Sequence, residues 1–203
     1  MAYRHWDESA TKQLDKAYRR DLVNRISGAR TAWLLGSWSD KTGNNLGLFS
    51  NVVHVGANPP LLGLIFRPET VRRDSLDNIR ENNEFSLNAV QPEMMEMAHQ
   101  ASAKYAAETD EFESIGFEIE RKNDSRIPFV SSALLQLQMR MEELHPIKAN
   151  GCLFMISRIV GLHIHESALD EDDLPDCAQW LHVCGLDQYV QSTPLKKLPY
   201  ARP

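Results

Sequence analysis

Four arginines, Arg67, Arg72, Arg73 and Arg80, fall within fourteen positions of a chain whose formal net charge is -6. Glu69, Asp74 and Asp77 lie among them. From Arg67 to Asn78 the chain reads RPETVRRDSLDN, with hydroxyls at Thr70 and Ser75. Ser75 is a good N-cap residue, which predicts a short helix over 75–82. Unsatisfied N–H groups at a helix N-terminus attract an anion, and a neighbouring Arg pairs with phosphate in a fork geometry. The same residues also describe a solvated charged loop with ordinary surface ion pairs. Asp74 matters to either reading. A carboxylate beside a phosphate is unfavourable unless it turns away or caps the helix.

Other constellations carry less. His163 and His165 are two apart on a predicted strand and share a face, as zinc or copper ligands would. A metal site needs a third convergent ligand, and His54, His145 and His182 are scattered, so an exposed histidine-bearing strand end is the plainer reading and no metal is expected. Neither a G-x-S-x-G elbow nor H-E-x-x-H occurs, and no G-x-G-x-x-G marks a Rossmann site. Cys152 sits in an apolar run after Asn150 and Gly151 and reads as a small core residue.

The elements that must position the arginines are mainly strands. Arg30–Trp38 reads as one strand and Leu46–Val55 as another, the latter broken by ANPP at 57–60 because proline removes ladder donors. The continuous apolar run Leu61–Phe66 predicts a strand buried on both faces and leads straight into the arginine segment. Glu84–Val90 alternates as a strand. Pro92 starts a helix through PEMMEMAHQASAKYAA, whose Met94, Ala98 and Ala101 stripe reads as core. Ala133–Leu144 alternates most clearly, with Leu135, Leu137, Met139 and Met141 on a buried face and Gln136, Gln138, Arg140 and Glu142 on a wet one. The Asn-Gly turn at 150–151 joins it to Cys152–Ile164, with a bulge expected at Gly161.

Residues 7–27 predict a helix, with Leu14, Leu22 and Ile26 facing a β core and Gly28 ending it. The last residues, 191–203, are proline-punctuated and extended. With about seven strands and no regular crossover helices, the expected class is mainly β, an antiparallel barrel with peripheral helices in one domain over 1–203. No apolar run is long enough to span a membrane, and MAYRHWDESATKQLDKAYRR lacks a signal-type apolar core. Three cysteines without CxxC spacing point to a reducing cytoplasm. The acidic balance speaks against a general nucleic-acid binder.

The stretch NNLGLFSNVVHVGANPPLLGLIFRPETVRRDSLDNI, residues 44–79, resembles the flavin reductase-like proteins with the FMN-binding split barrel. Matches continue in order: ISG at 26–28, ASAKY at 101–105 followed by DEF at 110–112, IKANG at 147–151, GLDQY at 185–189 and YARP at 200–203. The resemblance implies a homodimeric, six-stranded, Greek-key-like split β-barrel holding FMN non-covalently near the dimer interface. By that resemblance Asn45, Leu46, Ser50, Asn51 and Val52 line the flavin ring. Arg67, Thr70, Arg73, Ser75 and Asn78 take the ribityl phosphate, and Ser102, Lys104 and Tyr105 lie near the ring edge. It implies an oxidoreductase passing a hydride from NAD(P)H to FMN and on to an acceptor, with no obligatory acid or base. The alternative is a non-enzymatic flavin-binding dimer, a carrier or redox sensor.

Overall fold

The computed structural model describes residues 1–122 and 125–202. In chain order the elements are α1 (Glu8–Gln13), α2 (Lys16–Ile26), β1 (Ala29–Thr31), β2 (Trp33–Ser39), β3 (Gly43–Phe49), β4 (Val52–Ala57), β5 (Pro60–Phe66) and α3 (Asp74–Asn82). There follow β6 (Glu84–Ala89), α4 (Met95–Gln100), α5 (Glu111–Ile115), β7 (Ile119–Glu120), β8 (Phe129–Val130), β9 (Leu135–Pro146), β10 (Leu153–Ile164), β11 (Leu181–Cys184) and β12 (Gln188–Gln191).

Seven strands form one antiparallel sheet in the order β3-β2-β6-β9-β10-β5-β4. Its outermost strands, β3 and β4, are consecutive in the chain and separated only by Ser50 and Asn51. A flat seven-stranded sheet would hold its edges about 29 Å apart at ~4.8 Å per strand. Three residue steps from Phe49 to Val52 reach no more than about 11 Å. The sheet must therefore roll up; on the β4 side Asn51 extends the pairing with β5, its carbonyl accepting from Ile65 N–H at 3.2 Å. No ladder joins β3 to β4, so the barrel stays split. This corrects the six-stranded expectation. Leu46–Val55 is two strands on opposite edges, because the chain crosses the split at Ser50–Asn51.

The barrel interior is filled by Leu35, Leu64, Phe85, Leu87, Met139 and Met155, all fully buried. A second core lies outside the sheet, where Leu34, Leu46, Ala98, Phe112 and Val183 pack beneath α4, α5 and a small sheet of β1, β11 and β12. The stretch predicted as one strand over 30–38 divides at Ala32, whose N–H bonds Leu181 and whose carbonyl takes Val90 N–H. The hairpin β9–β10 turns at Asn150–Gly151 and shifts register at Gly161, as the pattern predicts. The polar face of β9 is not wet throughout. Gln136 is buried because β8 covers it, and it donates to Val130 O at 2.8 Å. β5 is less enclosed than its apolar run suggests. Leu64 and Phe66 face the core, while the opposite face leaves Val53 and Val55 of neighbouring β4 exposed.

The N-terminal stretch is two helices, not one. Asp7 caps α1, and Asp15 accepts from Ala17 and Tyr18 N–H to start α2. An Asp side chain competes with the helical ladder and favours a cap, so the helix breaks there. Neither helix contains a fully buried residue, and Ile26 is 74% exposed. The helix predicted from Pro92 is likewise short. A 3₁₀ turn at Pro92–Met94 leads into α4, which ends at Gln100. Residues 192–202 form no regular structure, and Pro203 lies outside the described residues. Among the described residues no helix is long and apolar enough to cross a membrane.

One close approach tests this packing. At Gly36, in the middle of β2, an added Cβ would meet the backbone carbonyl oxygen of Pro128 and would lie 2.6 Å from Ser86 Oγ. Ser86 Oγ itself donates to that carbonyl. Gly36→Ala should therefore cost roughly 2–3 kcal/mol through overpacking against backbone, measured as a fall in the urea midpoint. An unchanged midpoint would contradict this contact.

Candidate functional site

β3 is an edge strand whose outward N–H groups are satisfied by helices. Leu46 N–H donates to Glu111 Oε2 at 3.2 Å and Leu48 N–H to Ala101 O at 3.3 Å. An unpaired edge would otherwise offer a row of free donors. Between and beside these positions, Asn45 and Gly47 face the start of α3. Asn45 Nδ2 donates to Ser75 Oγ at 2.9 Å, and a Cβ on Gly47 would sit 3.4 Å from the same oxygen. β3 and the N-terminus of α3 thus close on one polar point, Ser75.

Contrary to the expectation from sequence, Ser75 does not cap α3. Arg73 occupies the cap position, and its carbonyl takes Leu76 and Asp77 N–H. No side chain caps the helix, so its first N–H groups stay available. Asp74 turns onto Arg72, with its Oδ1 2.8 Å from Arg72 Nε. Arg72 also donates to Tyr105 O at 3.3 Å, which ties the 101–105 loop to this corner. Arg80 is spent on Glu69 in a two-point pair at 2.5 and 3.1 Å. That pair holds the Glu69 carboxyl below its ordinary range and raises the guanidinium. Arg73 is different. It is half-buried, its Nη2 makes one long bond to Pro68 O at 3.4 Å, and its Nε is buried without a partner.

The remaining predicted residues divide by place. Ser50, Asn51 and Val52 lie at the split, half-buried. Arg67 and Thr70 are exposed on the segment leading to Arg73. Ser102 Oγ donates to His99 O, Tyr105 Oη accepts from Gln100, and Lys104 is exposed. Leu46 and Asn78 stand behind the surface. The Leu46 side chain belongs to the outer core, and buried Asn78 donates to Ser37 Oγ at 3.2 Å in the barrel wall. The histidines do not converge. His163 meets Phe129 edge-on, whereas the His165 ring bonds Ser167 Oγ at 2.7 Å. Among the described residues no three His, Cys, Asp or Glu side chains are grouped to hold a metal ion.

Sequence reasoning missed Glu111. An Asp-Glu pair reads as solvated, yet Glu111 is 8% exposed. Burial pushes its carboxyl up from 4.5 to about 7; bonds from the Leu46 and Glu111 N–H groups oppose this, and Asp74 and Asp110 add to it. The one available signal is Asp110, a helix N-cap that turns the next residue inward.

Three solved structures share this architecture. A protein of Shewanella frigidimarina NCIMB 400, described as a flavin reductase with a split barrel domain, is 32% identical, with a TM-score of 0.92 over 98% of this chain and 100% of that one. Nitrilotriacetate monooxygenase component B from Bacillus cereus is 17% identical, with a TM-score of 0.85 over 98% and 100% of the two chains. An FMN-binding protein from Thermus thermophilus is 16% identical, with a TM-score of 0.75 over 98% and 99%. Among curated proteins none matches. The class is that of the split-barrel proteins. Residues 27–182 match the model of the flavin reductase like domain, and the chain belongs to that family.

Glu111 gives the site a pH signature. Below about pH 4.5 the folded and unfolded chains both hold the proton, and burial costs nothing. As pH rises the unfolded chain ionises first, so stability falls until about pH 7 and is then level, a loss on the order of 3 kcal/mol. Glu111→Gln keeps an acceptor for Leu46 and removes the charge. It should be more stable than the parent at pH 8 and no more stable at pH 4, by denaturant titration. Parallel stability curves would contradict a buried, titrating Glu111.

Proposed function

We propose that the protein is an oxidoreductase that binds FMN non-covalently, reduces it with NAD(P)H and passes the electrons to a small-molecule or protein acceptor. The observation that carries this reading is the buried, partnerless Nε of Arg73 beside the uncapped start of α3 and the Ser75 hydroxyl. These donors fit a phosphate, which accepts from a guanidinium, from helix N–H groups and from a hydroxyl at once. One such helix end with one partnerless Nε beside it, on half-buried Arg73, suits a single phosphate, which favours FMN over a dinucleotide flavin. The proteins that share this architecture, described as a flavin reductase, a monooxygenase component and an FMN-binding protein, agree with the reading.

In this proposal Arg67, Thr70, Arg73 and Ser75 take the phosphate. Asn45, Ser50, Asn51 and Val52 line the ring along the split, and Ser102, Lys104 and Tyr105 approach its edge. Leu46 and Asn78 hold the wall behind. When bound, the flavin supplies the redox chemistry, and the protein supplies binding, orientation and electrostatics. No side chain is assigned as acid or base. A second copy would cover the exposed apolar face of β4 and β10, where Val53, Val55 and Val160 are each more than a third exposed. Burying such a patch is what a homodimer would do.

Anaerobic mixing of the FMN-loaded protein with NADH and with NADPH tests the reading. Loss of the oxidised-flavin absorbance with at least one donor is expected. Bound FMN that neither donor bleaches would leave a carrier or sensor instead. Arg73→Ala should weaken FMN by about 2 kcal/mol, roughly thirtyfold in Kd, measured by quenching of flavin fluorescence. Unchanged affinity would move the phosphate elsewhere.

A further inference from the structure

Glu111 is not among the residues expected to touch a flavin, yet α5 grips the strand that carries them. Asp110 caps α5, its Oδ1 accepting from Phe112 and Glu113 N–H at 2.9 and 3.3 Å. Its other oxygen accepts from Asn44 Nδ2 at 2.8 Å. One residue on, Glu111 accepts from Leu46 N–H. The two carboxylates therefore hold β3 on either side of Asn45, the residue whose amide reaches Ser75 at the start of α3. The other contacts on this edge are to its neighbours, Arg121 donating to Asn44 Oδ1 at 3.1 Å and Leu48 N–H to Ala101 O at 3.3 Å.

The charges around Glu111 are mostly of its own sign. Asp110 and Glu113 share α5 with it. From α3 comes Asp74, paired with Arg72. Beyond β7, Arg121 is occupied by Asn44 Oδ1 at 3.1 Å. Among the described residues no cation forms an ion pair with Glu111; the charges that act on it are those of Asp74 and Asp110, both favouring the neutral acid. Asp74 directly precedes Ser75. An anion arriving beside Ser75 carries the same sign as Asp74 and acts on Glu111 in the same sense.

We propose that Glu111 is a positioning residue of the flavin site, which fixes β3 against α3 and takes up a proton when a phosphate-bearing flavin binds, so that binding tightens as pH falls. The inference rests on the flavin reading given above. Linkage makes the effect reciprocal: a phosphate that favours the protonated acid is itself bound better by it.

The test is FMN titration from pH 6 to 8.5 by fluorescence quenching, with calorimetry at pH 7.5 in buffers of different ionisation enthalpy. For the parent, Kd should rise about tenfold across the range, the change for a coupling of one pKa step, with net proton uptake at pH 7.5. Glu111→Gln, which keeps the acceptor, should bind with a flatter pH profile and without that uptake. The FMN phosphate titrates near pH 6 in both proteins and cancels in the comparison. Glu111→Leu, which loses the acceptor as well, should bind FMN more weakly at every pH. Equal slopes and equal proton counts in the parent and Glu111→Gln, with FMN bound by both, would overturn the proposal and leave the flavin reading standing. If Glu111→Gln does not fold, the parent alone decides: no proton uptake with FMN at pH 7.5 overturns the proposal. A parent that quenches FMN at no pH overturns the flavin reading and this inference with it.

Discussion

The architecture depends on a tether of two residues. Ser50 and Asn51 join the opposite edges of a seven-stranded antiparallel sheet, and a chain that short cannot span a flat one. Rolling follows, and with it a closed interior for Leu35, Phe85, Met139 and Met155. The same tether leaves a seam that no ladder closes. Along one side of the seam runs β3, which must satisfy its outward N–H groups by other means. Glu111 and Ala101 supply them, so α4 and α5 are drawn onto that edge. The polar corner around Ser75 exists because the edge is held by helices and not by another strand.

The electrostatics of that corner turn on which arginine is left over. Counting residues suggests a basic cluster diluted by acids. The structure pairs two of the four, Arg80 with Glu69 and Arg72 with Asp74, and among the described residues leaves exposed Arg67 and half-buried Arg73 without an ion pair. Exposed pairs of this kind contribute little to stability. Their effect here is selective, since each removes a donor from competition and Arg73 retains one that nothing satisfies. A buried donor without a partner is costly, of order 1–3 kcal/mol. A ligand that supplies the missing acceptor recovers that cost on binding.

Much of this was legible in the sequence where side-chain pattern and backbone need coincide. The alternation over Leu135–Met141, the Asn-Gly turn at 150–151 and the bulge at Gly161 all describe one hairpin, and the hairpin is there. The arginine segment was legible as chemistry because anion binding needs residue types that are visible in one dimension. What was not legible depended on crossings. Leu46–Val55 has strand-like residues throughout, so no local signal shows that it changes edges at Ser50. Ser75 has the right chemistry for a cap, but Asn45, thirty residues away, claims its hydroxyl and the helix starts one residue sooner. Glu111 looks solvated beside Asp110 because its partner is a backbone N–H of a distant strand.

The N-terminal helices bear on cooperativity. Neither α1 nor α2 buries a single residue completely in the isolated chain, and helices of six and eleven residues are marginal without packing. Their ladders therefore report on a local equilibrium distinct from that of the barrel, with an opening free energy near the bottom of the molecule's range. Amides in this arm should exchange with solvent without any strand of the barrel letting go. Only a surface that covers Tyr18, Val23 and Ile26 would bring the arm into the same unfolding unit as the sheet.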